Sequence, residues 1–248
     1  MYSEKGEFEV QVCFSPLSWP LFARDNALVI VADIFRATTA MCAAFEHGIK
    51  DIIPVESIAE SQGYKDKGYI CAGERDGKTL ACADFGNSPF NFMDPALKGK
   101  TIVMNTTNGT RAIKIASERH NRIAIGAFVN LEAVSRYAVG SGRPVVILCA
   151  GWKDRFCTED ALFAGAAVER IVALGKGAYH TMCDSAIASA TLWNAARTNL
   201  YSFTEKIAHR HRLRKMGLDD VISYCMTPDT TDVVPVWQED RIIAFSDR

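Results

Sequence analysis

The apolar positions of this chain fall into short runs, and polar clusters follow several of them. Leu28-Val29-Ile30-Val31-Ala32 is apolar at every position, the pattern of a strand buried on both faces. From about Thr39 the chain reads as a helix that ends near Gly48, a C-terminal cap. Further strands are predicted at 51–55, 69–72, 101–104, 123–127 and 144–149, and Pro54 weakens the first of these or places it at a sheet edge. Helices are predicted from about Thr110 to Glu118 and from Glu159 to about Leu174, where Gly175 closes the second. After Tyr179 the pattern is less regular. It supports a helix from about Ser185 to Arg197, a basic helical segment around His209 to Met216, and a final strand or two. Strand–helix alternation over roughly 150 residues predicts an α/β protein with a mostly parallel sheet covered on both faces. The expected organisation is one compact unit spanning 1–248, in which the stretch from about 180 could form a C-terminal subdomain.

Charge and cysteine usage narrow the function classes. The 248 residues carry a formal net charge of -1, which argues against a nucleic-acid partner, because phosphate backbones call for a basic face. Affinity for a small anion must therefore be local. Residues 1–7 are polar and no apolar run is long enough for a signal segment or a membrane span, so the expectation is a cytoplasmic protein without a membrane partner. Cys13, Cys42, Cys71, Cys82, Cys149, Cys157, Cys183 and Cys225 are scattered and form no C-x-x-C pair. Reduced thiols are expected rather than a disulfide scaffold or a zinc site.

The candidate chemistry lies in polar clusters that each follow a predicted strand. In an open parallel sheet the carboxyl ends of the strands share one edge and ligands bind there, so the clusters should converge. Asp33 follows the apolar run and could hold Mg²⁺ or act as a nucleophile; as a plain turn residue it would do neither. Arg36 offers a planar fork to phosphate, sulfonate or carboxylate oxygens. Thr38 and Thr39 open a helix whose free N–H groups favour an anion, although N-capping alone accounts for them. Glu74 and Arg75 lie between glycines and could form a salt-bridged turn. Asn105-Thr106-Thr107-Asn108-Gly109-Thr110 exceeds what a helix cap requires, and Gly109 would let backbone N–H groups approach an oxyanion. Gly86-Asn87-Ser88-Pro89 reads as a loop. Glu159 and Asp160 complement a helix dipole and, near Asp33, would complete a hard-cation site.

A competing reading comes from Cys149 and Arg155, which match the C-x5-R spacing of cysteine-dependent phosphatases. The intervening Ala-Gly-Trp-Lys-Asp places Asp154 where a phosphate would be repelled. A further alternative is a non-catalytic binder of an anionic phospho-metabolite.

Taken together, the segments resemble the phosphosulfolactate phosphatase family, the ComB-like enzymes of coenzyme M biosynthesis. The pieces are D-I-F-R-A-T-T at 33–39, A-G-E-R at 72–75, D-F-G-N-S-P at 84–89, T-T-N-G-T at 106–110, C-A-G at 149–151 and E-D at 159–160. A weaker piece runs from His209-Arg210-His211-Arg212-Leu213 through Gly217 and Asp220-Val221 to Val234-Pro235, with Arg210 where glycine is expected. The resemblance implies a three-layer α/β/α fold and a Mg²⁺-dependent phosphoric monoester hydrolase acting on a small 2-phosphorylated, sulfonated acid. On this reading Asp33, with Glu159 or Asp160, holds the metal. Arg36, Arg75, Thr38, Thr39, Asn87, Ser88 and Thr106 through Thr110 hold the substrate. Sheet edges or the irregular C-terminal third could carry a homodimer contact.

Overall fold

A computed structural model describes residues 6–119 and 122–246. Its strands are β1 (Phe8–Cys13), β2 (Leu28–Ala32), β3 (Asp51–Val55), β4 (Ile70–Arg75), β5 (Lys78–Thr79), β6 (Thr101–Asn105), β7 (Arg122–Gly126), β8 (Val145–Cys149), β9 (Tyr179–His180), β10 (Pro235–Gln238) and β11 (Arg241–Ala244). They form one sheet in the order β5-β4-β6-β3-β11-β10-β7-β2-β8-β1-β9. The longer helices are α2 (Ala37–Glu46), α3 (Ile58–Asp66), α4 (Gly109–Ser117), α5 (Leu131–Gly140), α6 (Thr158–Leu174), α7 (Asp184–Ala196) and α9 (Ala208–Lys215). Single turns make up α1 (Trp19–Phe22), α8 (Leu200–Phe203) and α10 (Ile222–Cys225).

The α/β expectation holds, and the sheet is mostly parallel, but its construction differs from one continuous parallel edge. One parallel block contains β7, β2, β8, β1 and β9, and the other contains β3, β6 and β4. The antiparallel hairpin β10–β11 joins them through single bridges, Val236↔Ala124 on one side and Ile242↔Ile52 on the other. Followed through the hairpin, the two blocks run in opposite senses. The last strands of the chain therefore occupy the middle of the sheet. Pro54 is likewise not at an edge: β3 pairs along its length with β6. Because β11 bridges β3 only at Ile52, the part of β3 carrying Pro54 has a single ladder neighbour, and a missing N–H is tolerated there.

Helices cover the sheet in layers, as their composition requires. All five side chains of β2 and of β8 are buried, so both sheet faces must be covered. The helices α5, α6 and α7 pack side by side, with α6 over β1, β8 and β2. In the other group, α2 and α4 touch each other, and α4 reaches both blocks through β2, β7 and β3. Helix α2 starts at Ala37, two residues before the predicted point, and Gly48 follows its end at φ +82°, as a left-handed cap requires. At the end of α6 the left-handed residues are Lys176 and Gly177, while Gly175 itself remains right-handed.

The contact between α6 and α7 rests on a glycine. A Cβ on Gly165 of α6 would lie 2.0 Å from the carbonyl oxygen of Ser189 in α7. Backbone atoms cannot yield as a flexible side chain can. Gly165→Ala is expected to separate the two helices, costing about 3 kcal/mol and lowering the melting temperature by roughly 6–12 °C. Thermal unfolding by circular dichroism checks this, and an unchanged midpoint would show that α6 and α7 can slide apart freely.

Candidate active site

Asp33 is the first residue beyond β2, and the turn that holds it is closed by its own neighbours. Its N–H donates to Thr38 Oγ1 at 2.9 Å, the Thr38 N–H donates back to the Asp33 carbonyl at 3.0 Å, and Thr39 Oγ1 donates to the Ile34 carbonyl at 3.0 Å. Both threonines are fully buried and brace the turn. Asp160, at the start of α6, accepts the Ile34 N–H at 2.9 Å on one oxygen and the Gly151 N–H at 3.0 Å on the other. One carboxylate thus ties the carboxyl end of β2 to that of β8.

The loop between β6 and α4 arrives from the other block. Gly109 lies against the Asp33 turn so closely that a Cβ would be 2.6 Å from the Ala37 Cβ and 2.9 Å from Asp33 Oδ2. The Thr110 N–H donates to Thr106 Oγ1 and the Thr110 hydroxyl to the Thr106 carbonyl. The Thr107 N–H and hydroxyl donate to the two oxygens of Glu74, at 2.7 and 3.0 Å. Asn108 Oδ1 accepts the Lys153 N–H, which joins this loop to the one after β8. Arg75 does not reach the cavity that these loops enclose. Its guanidinium donates to the carbonyls of Thr106 and Glu56 and to Asn105 Oδ1, and so binds the ends of β3, β4 and β6 together.

These loops and α9 enclose a cavity of about 230 Å³, below the range for drug-sized ligands and suited to a small acid. Asp33, Arg36, Glu74, Asn87, Asn108, Trp152, His209 and Arg212 are among its lining residues. The Arg36 side chain is 4 % exposed and makes no hydrogen bond or ion pair among the described residues. Ser88 lines an adjoining hollow with Arg36 and Asp220. Asn87 Oδ1 is buried without a partner among the described residues. Behind Asp33, Glu159 Oε1 meets His209 Nδ1 at 2.6 Å, while Glu159 Oε2 is buried with no hydrogen-bond partner. Cys157, Glu159 and His209 each bring one potential ligand atom within 4.8 Å of the others.

Crowded acids set the electrostatics. Burial lifts the Asp33 carboxyl to about 7; His209 opposes the rise, and Glu74 and Glu159 add to it. Asp160 is pushed well above the usual carboxylate range by burial and by Glu159 and Asp33. Burial draws Arg36 downward, although the neighbouring acids support its charge. Several buried carboxylate oxygens, one of them unpartnered, fit a hard divalent cation, which would relieve their mutual repulsion. The cysteine reading does not fit. Burial raises the Cys149 thiol well above its ordinary value, Cys149 is absent from the cavity lining, and Arg155 is exposed.

The sequence profile described as 2-phosphosulpholactate phosphatase matches residues 15–240. The chain belongs to this family. It is 35% identical over 211 residues to the probable 2-phosphosulfolactate phosphatase of Caldanaerobacter subterraneus subsp. tengcongensis, covering 84% of this chain and 86% of the relative. Probable 2-phosphosulfolactate phosphatases of Thermotoga maritima and Clostridium beijerinckii are 34% and 30% identical, over 91% and 88% of this chain and 94% and 91% of their own lengths.

Within this phosphatase family chain, the departure at Arg210 lies outside the cavity lining. Arg210 is 2 % exposed and binds Asp219, Thr204 and the Tyr201 hydroxyl, so it pins α9 to its neighbours. The sequence pattern did not single out His209, Arg212 or Trp152 as site residues, and it left Glu74 as a turn. The signals for α9 were the weak motif piece at His209–Leu213 and spacing: His209, Arg212 and Met216 share one helical face within a segment that otherwise reads only as basic.

Proposed function

We propose that the protein is a Mg²⁺-dependent phosphatase that hydrolyses 2-phosphosulfolactate, or a related small 2-phospho-acid, to sulfolactate and phosphate. The observation that carries this reading is the pairing of Asp33, buried among acids, with an unpartnered Arg36 guanidinium on one small cavity. Asp33 and the free oxygen of Glu159 would hold the metal, with Asp160 fixing the loops behind them. Bound Mg²⁺ supplies charge neutralisation at the phosphoryl oxygens. Arg36 takes phosphoryl oxygens through its fork. His209 has one ring nitrogen on Glu159 and the other available to pass a proton to the leaving oxygen. The ester P–O bond breaks, a P–O bond to the water oxygen forms, the departing oxygen takes the His209 proton and leaves as the hydroxyl of the acid, and a proton released by the water restores His209.

Family membership supports the substrate class through the names of the relatives. The test is phosphate release from a panel of 2-phospho-acids with and without Mg²⁺, using wild type and Cys149→Ser. Metal-dependent release retained in Cys149→Ser is expected. Full activity in EDTA that vanishes in Cys149→Ser would instead establish a thiolate mechanism, and saturable binding without release would establish a sensor.

A further inference from the structure

The basic helix α9 has two unlike faces. Arg210 and Arg214 are both paired, with Glu205 and Asp219. Arg212 points to the cavity and makes no hydrogen bond or ion pair among the described residues. Its Nε is buried without a partner, a state that native structures rarely leave unsatisfied. The guanidinium carbon lies 4.8 Å from the centre of the Trp152 ring, and Trp152 packs against His209 at 5.3 Å. Stacking restrains the plane of the fork while its N–H edge stays free to meet an anion.

Arg36 and Arg212 line one cavity but have different neighbours. Arg36 lines the cavity with Asp33 and Glu74 and also borders the hollow beside Ser88, whereas Arg212 lies over Trp152 of the loop after β8. One free fork would suffice for a simple phosphate ester. Two such forks lining so small a cavity call for a ligand with two anionic ends.

We infer that Arg212 is a specificity-determining residue, holding the second anionic group of the substrate, a carboxylate or sulfonate, while the phosphoryl group sits at Asp33 and Arg36. This rests on the phosphatase reading above and assigns to one residue the further anion that such substrates carry.

The test compares wild type, R212K and R212Q on three Mg²⁺-supplemented substrates: 2-phosphosulfolactate, 2-phospholactate without the sulfonate, and 2-propyl phosphate without either acid. R212Q is expected to lose about 10²-fold in kcat/KM on the substrate whose second anion it binds, with R212K losing less. On 2-propyl phosphate the loss should shrink to a few-fold. The pair of substrates between which R212Q stops discriminating identifies the group as sulfonate or carboxylate. An equal loss on all three, or no loss on any, overturns the inference. Calorimetric binding of sulfolactate, which carries both acids and no phosphate, makes the same comparison without turnover. Binding by wild type that R212Q loses supports the assignment; equal binding by both, or none by either, overturns it. Absence of phosphate release from every substrate would refute the phosphatase reading and leave the binding comparison to decide Arg212.

Discussion

Asp33→Asn is expected to lower Mg²⁺-dependent phosphate release by about 10³-fold or more while leaving the fold intact. The substitution keeps the shape of the side chain and removes its charge. Asp33 lines the cavity, and its carboxyl lies close enough to Glu74, Glu159 and His209 for each to bear on its ionisation. A neutral amide oxygen brings no charge to a hard cation and so holds it far more weakly than a carboxylate does. The fold should tolerate the change, because the bonds that shape the turn use the backbone of Asp33, donating to Thr38 Oγ1 and accepting from the Thr38 N–H. Steady-state phosphate release together with near-ultraviolet circular dichroism checks both halves. A folded variant within about tenfold of the wild-type rate would show that the chemistry lies elsewhere.

The second large effect is a reversal of the usual pH response of stability in the metal-free protein. Asp33 ionises near 3.8 when exposed and near 7 in the fold. Between those values the folded state holds a proton that the unfolded state has lost. Stability from this group is therefore fully present below about pH 4 and is lost as pH rises through 7, by up to about 4 kcal/mol. Asp160 is shifted in the same direction and adds to the trend. A divalent cation binds the ionised form, so Mg²⁺ should restore what deprotonation removes. At about 100 times its dissociation constant, a ligand stabilises by about 2.7 kcal/mol, which corresponds to roughly 5–10 °C in melting temperature here. The expected result is a Mg²⁺-induced rise in melting temperature at pH 8 and little or none at pH 5, with the pH 8 rise absent in Asp33→Asn. Equal stabilisation by Mg²⁺ at both pH values would place the ion away from Asp33.

Both effects arise because side chains from the two parallel blocks share one low-dielectric pocket. Gly109 lets the α4 turn close onto Asp33, and Asn108 links the loops after β6 and β8. The blocks meet although their strands run in opposite senses, and the contacts of α4 with strands of both blocks span the seam.

The runs at 28–32, 51–55, 101–104 and 144–149 announced strands because a doubly covered strand is apolar along most of its length, a property each residue carries in any context. By the same logic the chain itself displayed its α/β class, five of its seven longer helices and the polar clusters at strand ends, whereas β1, α3 and α5 went unread in the pattern. The resemblance in motif order named the family to which the chain belongs. Three things were decided only by the tertiary structure. The hairpin β10–β11 lies in mid-sheet, because a strand's neighbours depend on pairings between residues more than 100 positions apart. Arg75 and Arg36 look alike in sequence, yet one is occupied by carbonyl groups and the other is free, since hydrogen-bond partners are a property of the assembled surroundings. His209 and Arg212 enter the site from a helix whose composition reads only as basic, because the direction in which a helix face points is set by packing and not by the residues on it.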